Sequence, residues 1–212
     1  TDLPVLPILF SLIVFIGATV LRAYRWQTLF LQDKMSIRRL LLVQNVGLGL
    51  NSLVPIRVFG EIAQFALLRW RYNVNSGTAL ATLSLERVLD LVVTATLLLA
   101  ALTLLPNRGD FLPYVAWSLV ITVAAIVLVR LAEWASTRPF LKKIDLLVTT
   151  AAALSDLTQA KGTLTYSLLL TMAYWLTVGV CGWIVADGMG LGISVFVATI
   201  AVLVALYLSS SV

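Results

Sequence analysis

Uncharged apolar runs as long as a bilayer is thick constrain this chain more than any other feature. Leu3 to Leu21 is the first, about 19 residues with no charge, and about 20 are needed for one helix across a ~30 Å hydrocarbon core. Comparable runs extend from Phe111 to Val129, Thr163 to Ala186 and Ile193 to Leu208, and Ser76 to Leu105 is a longer apolar run interrupted by Glu86, Arg87 and Asp90. The chain is 60% hydrophobic and 12% charged, about half the charge of a soluble domain. Its 212 residues leave room for roughly five to seven membrane segments and no separate soluble domain. The expected fold class is therefore all-α, a polytopic integral membrane helical bundle forming one domain over 1–212. Both ends read as cut, because the chain opens on Thr1 and stops at Ser209-Ser210-Ser211-Val212 while an apolar run is in progress.

Charge placement gives the expected topology. Arg22 to Trp26 sets cations among aromatics, and Lys34, Arg38 and Arg39 extend it against Asp33 alone. That basic stretch reads as an interfacial, cytoplasmic loop, with Ser36 as the N-cap of the next helix. The next polar stretch, with Arg57, Glu61, Arg69 and Arg71, is also basic, so it belongs on the same side. A single crossing between the two would break that rule. Residues 40–71 are therefore expected to enter and return as a re-entrant helical hairpin with its tip at Asn51 to Gly60. The competing reading is an ordinary kinked span. Asn75 or Ser76 caps the helix after the hairpin, Pro106 to Asp110 is an outside loop, and Arg130, Arg138, Lys142 and Lys143 mark the cytoplasm again. Ile144 to Leu157 reads as an interfacial or loop helix, and Asp187 to Gly192 as a turn. The net charge of +5 sets topology and is not a nucleic-acid signal. Cys181 reads as a packed thiol, and the absence of histidine removes the commonest metal ligand and general base. No metal or cofactor is expected.

Charges at membrane depth are costly unless paired or hydrated, and mark functional sites. They gather in Asn51 to Glu61, N-S-L-V-P-I-R-V-F-G-E, and Glu86 to Asp90, E-R-V-L-D. Arg57 and Glu61 are four apart and can pair. A helix beginning after Pro55 presents free N–H groups to an anion, and the Arg57 fork suits phosphate. Glu86 lies about ten residues past its helix start, ~15 Å in, with Asp90 one turn deeper and Arg87 adjacent. These carboxylates are expected either to hold Arg57 or Arg87, or to bind a cationic group or a proton. The plainer alternative is a satisfied ion-pair network that pins the hairpin.

Read together, these motifs resemble the lysylphosphatidylglycerol synthase transmembrane, flippase-like family. The matching positions are Arg22, Arg25 and Trp26; Asn51, Pro55, Arg57, Gly60 and Glu61; and Glu86, Arg87 and Asp90. One more residue separates Arg57 from Gly60 than in the family's pattern. The family's second Pro/Gly-rich motif, due after a span like 193–212, is not in this sequence. The resemblance implies a multi-pass protein of the cell inner membrane that moves an anionic phospholipid, aminoacylated or glycan-linked in some members, between leaflets. Asn51, Arg57, Glu61, Glu86, Arg87 and Asp90 are the expected substrate-binding residues; Arg22, Arg25, Trp26, Pro55 and Gly60 are expected to be structural. No catalysis is assigned, since aminoacyl transfer in synthase members belongs to a separate soluble domain that this sequence lacks. The partners expected are membrane lipids, an anionic phospholipid or lipid-linked substrate among them, with homo-oligomerisation left open and nucleic acid excluded. A membrane-embedded lipid-modifying enzyme and a non-transporting scaffold subunit are the competing functions.

Overall fold

A Ser and an Asn, each just ahead of an apolar run, start two of the helices. In the computed structural model, which describes residues 5–31, 35–53, 58–104, 108–136 and 144–210, the Ser36 carbonyl accepts from the Arg39 and Leu40 amides. Helix α2 (Ile37–Leu53) begins there. Asn75 accepts the Gly77 N–H on its side chain at 2.8 Å, and α4 (Ser76–Leu104) begins one residue later. The other helices are α1 (Val5–Thr28), α3 (Val58–Ala66) running into a π-helical turn (Leu67–Arg71), α5 (Arg108–Ser136), α6 (Asp145–Gln159), α7 (Lys161–Gly188) and α8 (Val195–Ser210). Among the described residues there is no strand, so the fold is all-α.

Interhelical contacts fix the helix directions. Ser11 donates to the Cys181 carbonyl (3.1 Å), Tyr24 meets Tyr166, and Thr28 meets Ser167 (2.6 Å). The start of α1 meets the far part of α7 and the end of α1 meets its beginning, so α1 and α7 are antiparallel. The same logic applies to α2 and α3. Gly60 N–H donates to Asn51 Oδ1 at 3.0 Å, a Cβ on Gly47 would meet the Gln64 side chain, and the Arg39 guanidinium lies over the Tyr72 ring at 5.5 Å. Helices α2 and α3, with the π-helical turn, thus pack as an antiparallel helical hairpin. Close approach requires glycine at its crossing, since a Cβ on Gly60 would strike Asn51 and the Gly47 carbonyl. Helices α7 and α8 use the same device, Gly179 receiving Thr199 and Gly182 receiving Val202, the small-residue packing that lets helices approach where hydrophobic driving force is weak.

The main apolar core joins the end of α1 (Trp26, Leu29, Phe30), the start of α2 (Leu40, Val43), Leu68 of the π turn, the first half of α4 (Ala79, Leu85, Leu89) and Leu154 and Leu157 of α6. The C-terminal end of α1, both ends of the hairpin and the start of α4 therefore lie at one end of the bundle. Outward faces are apolar as well: Leu6 and Ile13 on α1, Leu128 on α5 and Leu169 on α7 are all at least 60% exposed. By length and composition, α1 and α7 are the described helices able to cross a membrane, with shorter apolar stretches at Val115–Leu131 and Val195–Ala205.

Three boundaries differ from expectation. Helix α1 continues seven residues past Leu21, to Thr28, so Arg22 to Trp26 is helix and not an interfacial loop. Helix α5 begins at Arg108, inside the stretch expected to be the outside loop. Helix α6 buries Ala151, Leu154 and Leu157, which docks it on the bundle.

Candidate functional site

Arg22 and Arg25 lie three apart on α1, and Glu86 and Asp90 four apart on α4, so each pair shares a helix face. The two faces meet. Arg22 Nε reaches Glu86 Oε1 at 3.0 Å. Arg25 bridges both acids, with Nη2 at 2.9 Å from Glu86 Oε1 and Nη1 at 2.6 Å from Asp90 Oδ1. Arg25 Nη1 also donates to Thr171 Oγ1 on α7 at 2.9 Å, while that hydroxyl donates back to the Ser167 carbonyl. The Tyr174 ring sits 5.8 Å from the Arg22 guanidinium and 6.0 Å from that of Arg25, within reach of a cation–π attraction. Arg25 and Glu86 are at most 2% exposed. Two arginines and two carboxylates thus form a neutral, dry cluster tying α1, α4 and α7 together.

A second pair lies beside it and is more exposed. Arg87 Nε is 2.9 Å from Glu61 Oε1, with side chains 36% and 45% exposed. Arg87 Nη1 also approaches Asp90 Oδ2 at 4.0 Å, and Asp90 itself is 14% exposed. Glu61 lies in the first turn of α3, one residue from the Gly60–Asn51 contact. Asn51 spans the hairpin to satisfy one of the amides that a helix start leaves free. The tip of the hairpin is therefore clamped to α4 by Glu61–Arg87, next to the buried cluster.

The structure brings Asn51, Gly60, Glu61, Arg87 and Asp90 together at the hairpin tip and the α4 midpoint. It gives Glu86 different partners from those expected: they are Arg22 and Arg25, while Arg87 turns to Glu61. Glu86 faces α1, whose Arg22 and Arg25 supply two cations at its depth. Trp26 is fully buried in the core, not at an interface. Pro55 and Arg57 lie outside the described residues. Sequence reasoning missed Arg22 and Arg25 as cluster members; their helical spacing, with an equal number of acids on α4, was the available signal. Thr171 and Tyr174 had none.

Chemically, the two pairs differ in what they can exchange. In the buried cluster, separating a pair strands a charge out of water, which costs several kcal/mol. The Arg87–Glu61 pair is part-exposed, and a pair whose exposed side meets water is worth about 0–1 kcal/mol. A phosphate can replace the Glu61 carboxylate on the Arg87 fork with little loss, and the freed Glu61 can then accept a cationic group. Among the described residues no three His, Cys, Asp or Glu converge as a metal site would require.

A family model described as "Lysylphosphatidylglycerol synthase TM region" matches residues 2–212. No curated protein matches the chain, and no solved structure does.

Proposed function

Because the chain belongs to the lysylphosphatidylglycerol synthase TM region family, and so is a membrane protein of lipid-related processes, we propose that it moves an anionic phospholipid head group between the leaflets of the cell inner membrane. In this reading the helices form a polytopic bundle and the 37–72 hairpin is re-entrant. The antiparallel pairing of α2 with α3 supports this, as does the return of the hairpin to the end where α1 stops and α4 starts. The observation that carries the function is the half-exposed Arg87–Glu61 pair at the hairpin tip, set against a cluster too buried to exchange partners. The head-group phosphate competes with Glu61 for Arg87, and Asp90 at 4.0 Å keeps the guanidinium in place meanwhile. Aminoacyl or other cationic groups on the lipid meet the released Glu61. Arg22, Arg25 and Glu86 act as the fixed wall of the slot.

Fluorescent phosphatidylglycerol in reconstituted vesicles, bleached from outside by dithionite, tests this. Arg87→Gln is expected to slow the protein-dependent exchange at least tenfold, the loss of one charge-assisted phosphate contact of about 1.5–3 kcal/mol, while its melting temperature stays within a few degrees of wild type. Wild-type exchange by a folded Arg87→Gln protein would remove the slot. Conversion of the lipid, read by mass spectrometry of the same vesicles, would instead favour a lipid-modifying enzyme.

A further inference from the structure

The base of the hairpin, at the opposite end from its tip, carries charge that the slot does not use. Arg38 and Arg39 open α2, and Arg69, Trp70 and Arg71 occupy the π-helical turn that closes the return arm. The Arg39–Tyr72 contact at 5.5 Å draws these two segments to one edge of the bundle. All four arginines are exposed. Among the described residues, the ion pairs around Glu61, Glu86 and Asp90 are made by Arg22, Arg25 and Arg87 and by none of these four. Trp70 is 80% exposed. The turn is nevertheless a fixed platform: Leu68 and Val74 are buried on either side, and the amides of Tyr72 and Val74 bond to Leu67 and Leu68 carbonyls at 3.2 and 3.0 Å. Asn73 takes the left-handed conformation, φ 55°, that turns the chain into α4.

Four exposed guanidinium groups on two neighbouring segments give this edge a positive field that attracts anions. An indole standing free at the edge of an apolar bundle suits the boundary between hydrocarbon and head groups, where its ring is amphipathic. Arginine forks match phosphodiester oxygens, and basic residues at a leaflet surface attract anionic lipid. We infer that the hairpin base is a collecting surface for anionic phospholipid, drawn to the exposed Arg38, Arg39, Arg69 and Arg71 around Trp70. This rests on the proposed function only in placing the hairpin in a membrane; it does not require translocation.

Trp70 is its own reporter. The protein is placed in nanodiscs of phosphatidylcholine with a minor fraction of either brominated phosphatidylglycerol or brominated phosphatidylcholine. Quenching of Trp70 is taken as the difference between wild type and Trp70→Phe. Phosphatidylglycerol is expected to quench in excess of phosphatidylcholine at low salt, and the excess should shrink as salt is added. In R69Q/R71Q the local enrichment should fall on the order of fivefold per arginine, and R69K/R71K should restore much of it. Equal quenching by the two lipids, or an excess unchanged in R69Q/R71Q, would overturn the inference. Wild-type exchange by Arg87→Gln, with the quenching excess intact, would instead strike only the translocation reading.

Discussion

Arg25 is the residue whose loss the structure makes most costly. Its side chain is fully buried, and it donates to Glu86 at 2.9 Å, Asp90 at 2.6 Å and Thr171 at 2.9 Å. Removal turns a neutral foursome into one with a net negative charge. Glu86 keeps Arg22, but Asp90 is left with Arg87 at 4.0 Å, a partner that is itself half in water. Breaking a buried pair by deleting one member costs about 3–5 kcal/mol. At roughly 2–4 °C per kcal/mol for a chain of this size, Arg25→Ala should melt roughly 6–20 °C below wild type in detergent. Arg25→Lys keeps the charge but cannot span two carboxylates and a hydroxyl with one ammonium, so it should fall between the two. The decisive variant is R25M/D90L. It removes a cation with its anion and fills the space with apolar groups, and such replacements are often neutral or stabilising. It should recover most of the lost stability. Thermal melts followed by size-exclusion chromatography give all four values. If Arg25→Ala melts within a couple of degrees of wild type, or if R25M/D90L is as unstable as the single variant, the neutral cluster is not what joins α1 to α4.

Glu86→Gln strands two arginine contacts and should lower the melting temperature far more than Glu61→Gln, whose pair is half exposed and worth at most about 1 kcal/mol; paired melts check the order. Gly60→Ala puts a methyl against Asn51 and the Gly47 carbonyl, overpacking that costs about 1–3 kcal/mol, whereas Gly49→Ala meets nothing and should be silent in the same assay. Asn51→Ala deprives the Gly60 amide of its acceptor and should cost about 1–2 kcal/mol, with faster hydrogen exchange at the start of α3 as the readout. For the re-entrant hairpin, cysteines at Lys34 and Tyr72 should be labelled from one side of the membrane and one at Asn107 from the other; labelling of Lys34 and Tyr72 from opposite faces would make residues 37–72 a crossing.

Helix existence was legible because apolar runs and caps are local. Ser36 and Asn75 start helices by side-chain or backbone bonds within a few residues, and the turn after α7 needs the positive φ of Gly190 and Gly192. The hairpin was legible for a different reason. Its amides and glycines between Gln44 and Asn51 suit a buried helix face and not one against lipid; the crossing uses two of them, Gly47 and Asn51, against Gly60. What the sequence hid was depth. Arg22 and Arg25 read as an interfacial loop because cation density among aromatics is the usual mark of the boundary. Their spacing by three also fits one helix face, and only the matching acids on α4 decide between the two. The π turn at Leu67–Arg71 has no local marker, since it depends on fitting Leu68 and Val74 into a core built by distant helices.

Burial divides the six central charges into two groups with opposite mechanical meaning. Arg22, Arg25, Glu86 and most of Asp90 are out of water, so any motion that parts α1 from α4 must strand a charge. Those helices, with α7 attached through Thr171, move as one body. The hairpin is attached differently. Its tip holds to α4 by the part-exposed Glu61–Arg87 pair, and its own crossing is satisfied internally by Asn51 and Gly60. Opening the tip therefore costs little beyond apolar contact, and opening the cluster costs several kcal/mol more. Local unfolding free energies track such differences, so α3 should exchange its amides before the middle of α4 does. In the proposed function, one rigid wall and one compliant wall would let a lipid head group pass, the tails keeping it in the hydrocarbon while the phosphate changes partners. Asp90 belongs to both groups, bonded to Arg25 on its buried side and near Arg87 on its exposed side. On that reading it is the residue through which an occupied slot would be felt by the rigid body.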